Sequence, residues 1–306
     1  MKAWRVASLG EPKDVLALED VPDPAPGPGQ VAVRVLASPA NFPDVLMCRG
    51  TYQVRPPLPF TPGVELCGSV VTLGEGVTEV AAGDRVIGSA VLPSGGFAEV
   101  ALMTAAETYP APPALDDAEA SSLYIGYQTG WFGLHRRAGL RAGETLLVHA
   151  AAGGVGSAAV QLGKAAGARV IGVVGGSAKA GVARELGADV VIDRHTQDFV
   201  EVVKAETGGR GADVIYDPVG GEIQSAALNH ALIKNYSIVG LHWGLYARYD
   251  PAALRECHAA LTELAAEGKI RPVVSERLPL PEVGGAVQRL ADGLTTGRVV
   301  YDAAAG

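Results

Sequence analysis

The rhythm of apolar and polar positions changes near residue 115. Before that point Val31, Val33 and Val35 alternate with Ala32 and Arg34, the two-residue period of a half-buried strand. Residues 70–73, 85–87 and 97–102 read as further short strands between glycine-rich turns. Pro22, Pro24, Pro26 and Pro28 mark a loop ahead of them. One short helix is expected after Pro43, from Asp44 to Arg49, with Gly50 at its end. Short strands at regular spacing predict a small barrel or sandwich.

Beyond residue 115 the period lengthens. Asp116, Asp117 and Glu119 place acid in the first turn of a helix running toward Ala138. Strands at 145–150, 169–174, 190–192 and 213–216 then alternate with helices at 157–166, 179–186 and 198–206. Gly167, Gly187 and Gly208 follow the three helices in turn. Strands alternating with helices imply right-handed crossovers and a doubly wound parallel sheet. Near the C-terminus, Asp250 is an N-cap ahead of Pro251, with Leu254, His258, Leu261 and Leu264 on one helical face and Gly268 as the stop. A second helix starts at Pro281, with Val283, Ala286, Val287 and Leu290 inward, and a last strand covers 298–301.

Composition narrows the class. A chain of 306 residues suits two domains, and 48% hydrophobic with 19% charged residues is globular composition. The net charge of −8 offers no basic stripe, so no nucleic-acid partner is expected. Cys48, Cys67 and Cys257 are odd in number and far apart, which argues against a disulfide framework and for a reducing, cytoplasmic setting. The start of the chain lacks the apolar core of a signal peptide, and no apolar run is long enough to predict a membrane span.

The segment that carries chemistry is strand 145–150, then Ala151-Ala152-Gly153-Gly154-Val155-Gly156, then a helix and a second strand. This is the dinucleotide-binding fingerprint with alanine at its first glycine position. Gly153 lets backbone approach a pyrophosphate, Gly156 lets the helix pack on the strand, and the helix N-terminus faces the phosphates. The plainer reading is a glycine-rich connection. An NAD site wants an acid at the end of the second strand. Here the chain reads Val174-Gly175-Gly176-Ser177-Ala178-Lys179. A hydroxyl and a lysine with no acid favour a 2′-phosphate, hence NADP(H), with Arg194 as a second cation. Against this, Lys179 and Arg194 read equally well as solvated surface charges.

Several motifs in order, Asn41-Phe42-Pro43-Asp44 with Tyr52, Gly63-Val64-Glu65, Ala151–Gly156 and Asp217-Pro218-Val219-Gly220-Gly221, resemble the zinc-independent medium-chain dehydrogenase/reductases, and among them the quinone oxidoreductases related to zeta-crystallin. The resemblance implies an α/β protein: a GroES-like β-rich catalytic domain plus a Rossmann domain with a doubly wound parallel sheet. It assigns 1–121 and 265–306 to the first and 122–264 to the second, with the active site in the cleft between them. It implies that Asn41, Asp44 and Tyr52 lie near the nicotinamide, with Tyr52 bonding a quinone oxygen and Asp44 orienting Asn41. It implies that Thr129 meets the nicotinamide amide, and that Gly240, Leu241 and His242 end a Rossmann strand beside it, with Trp243 as a wall. Capping of the short helix remains an alternative for Asn41 and Asp44, packing for Tyr52 and Trp243, and a bond to its own helix for Thr129.

Zinc relatives carry Gly-His-Glu where this chain has Gly63-Val64-Glu65, and three scattered cysteines cannot form a four-thiolate site, so no metal is expected. Without a Lewis acid, an electrophilic acceptor is expected: a quinone, or alternatively the activated alkene of an alkenal or enoyl reductase. A non-catalytic nucleotide-binding role, as in lens crystallins, is the reading from another class. The resemblance also suggests a homodimer. The chain departs from the family after Leu228, where about two dozen residues, a strand with its connections, are missing. The natural protein lacks them, or a deletion removed them, or a mobile segment is left out of the sequence. The last option predicts a chain break between Val219 and Asn235.

Overall fold

The computed structural model describes residues 1–220 and 228–305, and in it the chain divides into two units. One is Met1–Ile125 with Arg271–Gly306, the other Gly126–Ile270. The first runs through β1 (Lys2–Val6), α1 (Pro12–Val15), β2 (Leu16–Asp20), β3 (Gln30–Pro39), α2 (Phe42–Cys48), β4 (Glu65–Leu73), β5 (Arg85–Ala90) and β6 (Val100–Pro110) into α3 (Asp117–Trp131). The second holds β7 (Thr145–Val148), α4 (Gly154–Ala165), β8 (Arg169–Val174), α5 (Ser177–Glu185), β9 (Val190–Asp193), α6 (Phe199–Glu206), β10 (Val214–Tyr216), α7 (Leu228–Lys234), α8 (Leu245–Tyr249) and α9 (Pro251–Ala266). The chain then returns to the first unit as β11 (Val274–Leu278), α10 (Val283–Ala291) and β12 (Arg298–Asp302).

In the first unit, β3 pairs with β4, β4 with β5, β5 with β6, and β6 again with β3, so these four antiparallel strands close on themselves. Closure hides the edges and gives the strands an inside. Val31, Val33 and Val35 point there, packed with Leu66, Val70 and Met103, while Arg34 faces out. β12 lies antiparallel on the far end of β3, with Val300 opposite Pro39 and Tyr301 opposite Ser38. That pairing carries the start of β12 to the exit of β3, where α2 begins.

In the second unit, four parallel strands take the order β10-β7-β8-β9. Leu146, Leu147 and Val148 are all buried, as are Val170, Ile171, Val173 and Val174, the continuous apolar run of strands covered on both faces. α9 begins as its sequence dictates: the Asp250 carboxylate accepts the N–H of Ala253, and Leu254, Cys257 and Leu261 are buried.

Two expectations change, and a third lies outside the described residues. The helix expected to reach Ala138 ends at Trp131 and continues as a π-helix over Phe132–Arg137. Gly240, Leu241 and His242 do not end a strand: α7 stops, Asn235 takes a left-handed conformation at φ 53, and residues 235–242 pair with nothing in a sheet. Among the described residues, the physical reason is the lack of a neighbouring strand. The sheet ends at β10, whose Ile215 is 59% exposed, and Ile238 downstream is 63% exposed. An apolar run becomes a strand only when another edge accepts its hydrogen bonds. The break expected between Val219 and Asn235 falls on residues 221–227, outside the described residues.

The open edge yields a test. Ile215→Lys is expected to change unfolding free energy by no more than about 0.5 kcal/mol and to lower light scattering on heating, because it removes an exposed apolar group from an unpaired edge. Ile171→Ala, at a fully buried position, is expected to cost about 2–5 kcal/mol in the same denaturant titration.

Candidate functional site

In the second unit the site is built on the β7–α4 turn. Ala150 takes φ 51, the chain turns through Ala151 and Ala152, and Gly153 caps α4 in extended conformation. A Cβ on Gly156 would lie 2.1 Å from the Ala150 carbonyl oxygen, so only glycine lets the helix come this close to the strand it follows. At Gly153 the same distance is 3.3 Å, which is tight but not prohibitive. The N–H groups of Gly154, Val155 and Gly156 open the helix, where the backbone offers donors without intrahelical acceptors and the positive end of the dipole. The cradle fits a dinucleotide's pyrophosphate.

At the end of β8, Gly175 has no side chain, and its neighbours are the Arg194 guanidinium and the His195 imidazole. A Cβ there would meet Arg194 Nε at 3.2 Å and His195 Nε2 at 3.5 Å. Asp193 at the end of β9 turns one oxygen to backbone: its Oδ1 accepts from Gly176 N and from His195 N, each at 3.0 Å. Those two N–H groups hold its pKa below the usual carboxylate value. Ser177 opens α5 exposed, and Lys179 is half-buried in its first turn. Thr129 is half-buried in α3, next to the buried Gln128 that accepts the Trp243 indole N–H at 3.2 Å. Gly240, Leu241 and His242 line a cavity of about 300 Å³ together with Tyr246 and Tyr249.

In the first unit the exit of β3 is held by buried polar groups. Asn41 is the N-cap of α2 in a capping-box arrangement with Asp44, and its side chain also reaches partners outside the helix. Its Nδ2 donates to the Pro39 carbonyl at 3.1 Å and to Glu65 Oε1 at 3.0 Å, and its Oδ1 accepts from Arg298 Nη1 at 2.6 Å. Asp44 completes the box: its Oδ2 accepts from Asn41 N at 2.9 Å and its Oδ1 from Gly63 N at 2.8 Å. Gly63 sits at φ 97 with the Phe97 amide nitrogen 2.5 Å from where a Cβ would be, so this loop too requires glycine. Glu65 Oε2 accepts the N–H of Ile125 in α3 at 2.6 Å. Asp44 and Glu65 are both fully buried, Asn41 is 4% exposed and Arg298 5%.

Burial governs the protonation of this cluster. Desolvation pushes Asp44 up to about 7, against the N–H groups of Gly63 and Asn41 and with the nearby Glu65 charge. Desolvation also raises Glu65, opposed by Arg298, Ile125 N–H and Asn41. Tyr52 packs beside Met47, Cys48 and Phe60, and burial with the Asp44 charge raises its phenol, keeping it a proton donor at neutral pH. Asn41 and Asp44 are thus brought together, and Gly175 and Arg194 likewise. Three contributors escaped the sequence reading: His195, Arg298 and the role of Glu65 as a hub. Arg298 opens a final apolar strand and carries no local signal of its partner 257 residues away.

Comparison with known proteins identifies the domains that carry these residues. Residues 27–113 match the alcohol dehydrogenase GroES-like domain, and 154–255 match the zinc-binding dehydrogenase domain. A quinone oxidoreductase-like protein 2 homolog from Nematostella vectensis is 35% identical over 328 residues, covering 98% of this chain and 89% of that protein. The chain belongs to the zinc-independent medium-chain dehydrogenase/reductases, in the quinone oxidoreductase family. The structure of a probable oxidoreductase from Mycobacterium abscessus superposes with TM-score 0.91 at 39% identity, covering 99% of this chain and 98% of that one. The Escherichia coli quinone oxidoreductase complexed with NADPH superposes with TM-score 0.90 at 28% identity, covering 99% and 100%. The Nematostella alignment is longer than this entire family member, so the relative carries residues with no counterpart here.

The residues present do not fit zinc. Val64 stands where a histidine ligand is needed, and Glu65 is committed to Asn41, Ile125 and Arg298. Among the described residues no group of three or more His, Cys, Asp or Glu converges on one point. The three cysteines are buried and apart in their contacts, Cys48 with Met47 and Phe60, Cys67 beside Asp117. No helix of the described residues is long and apolar enough to cross a membrane.

Two outcomes follow from this geometry. Gly156→Ala is expected to lower Tm by more than Gly153→Ala, because its methyl meets a backbone carbonyl and cannot be accommodated by a side-chain movement. Asp44 has a folded-state pKa near 7 against an ordinary value of 3.8, so its contribution to stability is fully present below about 3.8 and is lost as pH rises through about 7. Tm measured from pH 5 to pH 8 is expected to fall more steeply in the wild type than in Asp44→Asn. Parallel profiles would assign the titration elsewhere.

Proposed function

We propose that this protein is an NADPH-dependent quinone oxidoreductase working without zinc, as a cytoplasmic homodimer. The observation that carries the coenzyme choice is the environment of Gly175: Arg194 and His195 lie beside it, and Asp193 at the end of β9 turns its Oδ1 to two backbone N–H groups. A 2′-phosphate gains from a guanidinium at that place, whereas a ribose hydroxyl pair gains from a free acid. The quinone oxidoreductase relatives support the acceptor class, and one of them was solved with NADPH.

When bound, NADPH supplies a hydride from nicotinamide C4. The N-terminus of α4, from Ala152 and Gly153 through Gly154, Val155 and Gly156, holds the pyrophosphate. Gly175 gives the adenosine ribose room, and Ser177, Lys179 and Arg194 hold its phosphate. Thr129 bonds the carboxamide, and Gly240, Leu241 and His242 offer backbone to the nicotinamide. Tyr52 keeps its phenolic proton through neutral pH and gives it to the oxygen of the reduced quinone, which has gained negative charge. Asn41 and Asp44 fix the loop ahead of α2 on which this chemistry depends. A quinone suits such a site, since hydride transfer to it needs no Lewis acid.

Fluorescence titration with both coenzymes is expected to show tighter binding of NADPH than NADH. Arg194→Ala is expected to narrow that preference by about tenfold or more, the weight of one charge-assisted hydrogen bond. Equal or tighter NADH binding sinks the coenzyme assignment. Turnover on a quinone panel and an alkenal panel separates the quinone reading from an alkenal or enoyl reductase. NADPH binding without transfer to any acceptor would make the protein a crystallin-like nucleotide binder.

A further inference from the structure

We infer that Arg298 is a positioning residue of the reaction centre: through Glu65 and its own bond to Asn41 it locks the Asn41 amide in one orientation. This rests on the reading that Asn41 belongs to that centre. The amide of Asn41 has little freedom left. Both Nδ2 hydrogens are spent, on Pro39 O and Glu65 Oε1, and Oδ1 already accepts from Arg298. What Asn41 can present to a bound molecule is therefore its amide oxygen, an acceptor and not a donor. Reversing the amide would set its NH₂ against the guanidinium and its oxygen against the carboxylate, so the ion pair selects the orientation.

The pair is poorly explained as a stability device. Taking two ions out of water costs several kcal/mol each, and buried pairs are often matched or bettered by apolar residues of similar volume. Arg298 is 5% exposed and Glu65 fully buried, so the cost is incurred in full. The return is incomplete: Arg298 Nε and Nη2 make no hydrogen bond, and Nη2 lies 3.4 Å from Glu65 Oε1. A guanidinium held with unused donors is an arrangement selected for placement. It also supplies a fixed positive charge beside the Gly63–Glu65 loop without a metal ion. Glu65 passes the restraint on to α3 through Ile125 N–H, so four segments, the ends of β3 and β4, α3 and the start of β12, share one anchor.

The test uses Arg298→Met, Arg298→Lys and the paired Glu65→Gln/Arg298→Met, each with steady-state kinetics, NADPH titration and Tm. Arg298→Met leaves a buried carboxylate alone, so its Tm falls, whereas the paired variant removes both charges and recovers Tm. The expected result is a kcat about 10- to 100-fold lower in the paired variant, as for other residues that orient a reacting group, with NADPH affinity within about twofold of wild type. Arg298→Lys keeps a cation and recovers part of kcat. If the paired variant folds with recovered Tm and turns over at wild-type kcat, Arg298 is structural only and the inference fails, while the oxidoreductase reading stands. If the wild type reduces no acceptor, that reading fails and takes this inference with it.

Discussion

A buried guanidinium must find its counter-charge, and in the first unit that requirement organises everything around the exit of β3. Arg298 reaches Asn41 and Glu65 only because β12 lies antiparallel on β3, with Ala40 N donating to Val299 O at 2.9 Å. The strand pairing places the cation, the cation holds the Glu65 carboxylate and the Asn41 amide, and these hold the two loops that flank α2. Asp44 closes the circuit from the other side through Gly63 N and Asn41 N. Of the two buried carboxylates, Glu65 is the one that faces the guanidinium, and Asp44, held by backbone N–H groups, is the one that burial drives to about 7. The electrostatics of the cluster are thus a consequence of its charge count as much as of its depth.

The second unit depends on a different kind of constraint, backbone against backbone. Gly156 and the Ala150 carbonyl touch so closely that no side chain fits between them, and Ala150 accepts a left-handed conformation to make the turn. The result points the N-terminus of α4 along the carboxyl end of β7. The same logic recurs at the end of β8, where Gly175 leaves room for Arg194 and His195. In this unit glycines make the space and fixed dipoles fill it. In the first unit, charge fills the space and the loops conform.

This difference explains what could be read from the chain before its structure. The β7–α4 turn is local: its strand, its glycines and its helix follow one another within about 20 residues, so spacing alone reports the geometry. The barrel strands were legible for the same reason, with Val31, Val33 and Val35 inside and Arg34 outside. Arg298 was not legible, since its meaning comes from pairing between β12 and β3 at the two ends of the chain. Nor were the outside partners of the Asn41 side chain, because a residue ahead of a helix reads as its cap, and only the fold brings Glu65 and Arg298 to the amide. His195 escaped because a histidine after a strand is unremarkable until Gly175 is seen beneath it.

The misread run at 235–242 shows the limit from the other direction. Ile238, Val239 and Leu241 have the composition of a strand, and the residues before them, a helix closed by left-handed Asn235, are what precedes a strand in an alternating fold. Composition supplies the side chains, but a parallel strand also needs an edge at the right distance. β10 offers such an edge and leaves Ile215 in solvent, and the apolar run remains in solvent too. The relative from Nematostella carries residues that this chain lacks. A sheet of four strands can still hold the pyrophosphate and the adenosine end, because β7, β8 and their turns are complete. On the proposed reading, the nicotinamide end is held by Thr129 and by the loop at Gly240–His242 rather than by a strand.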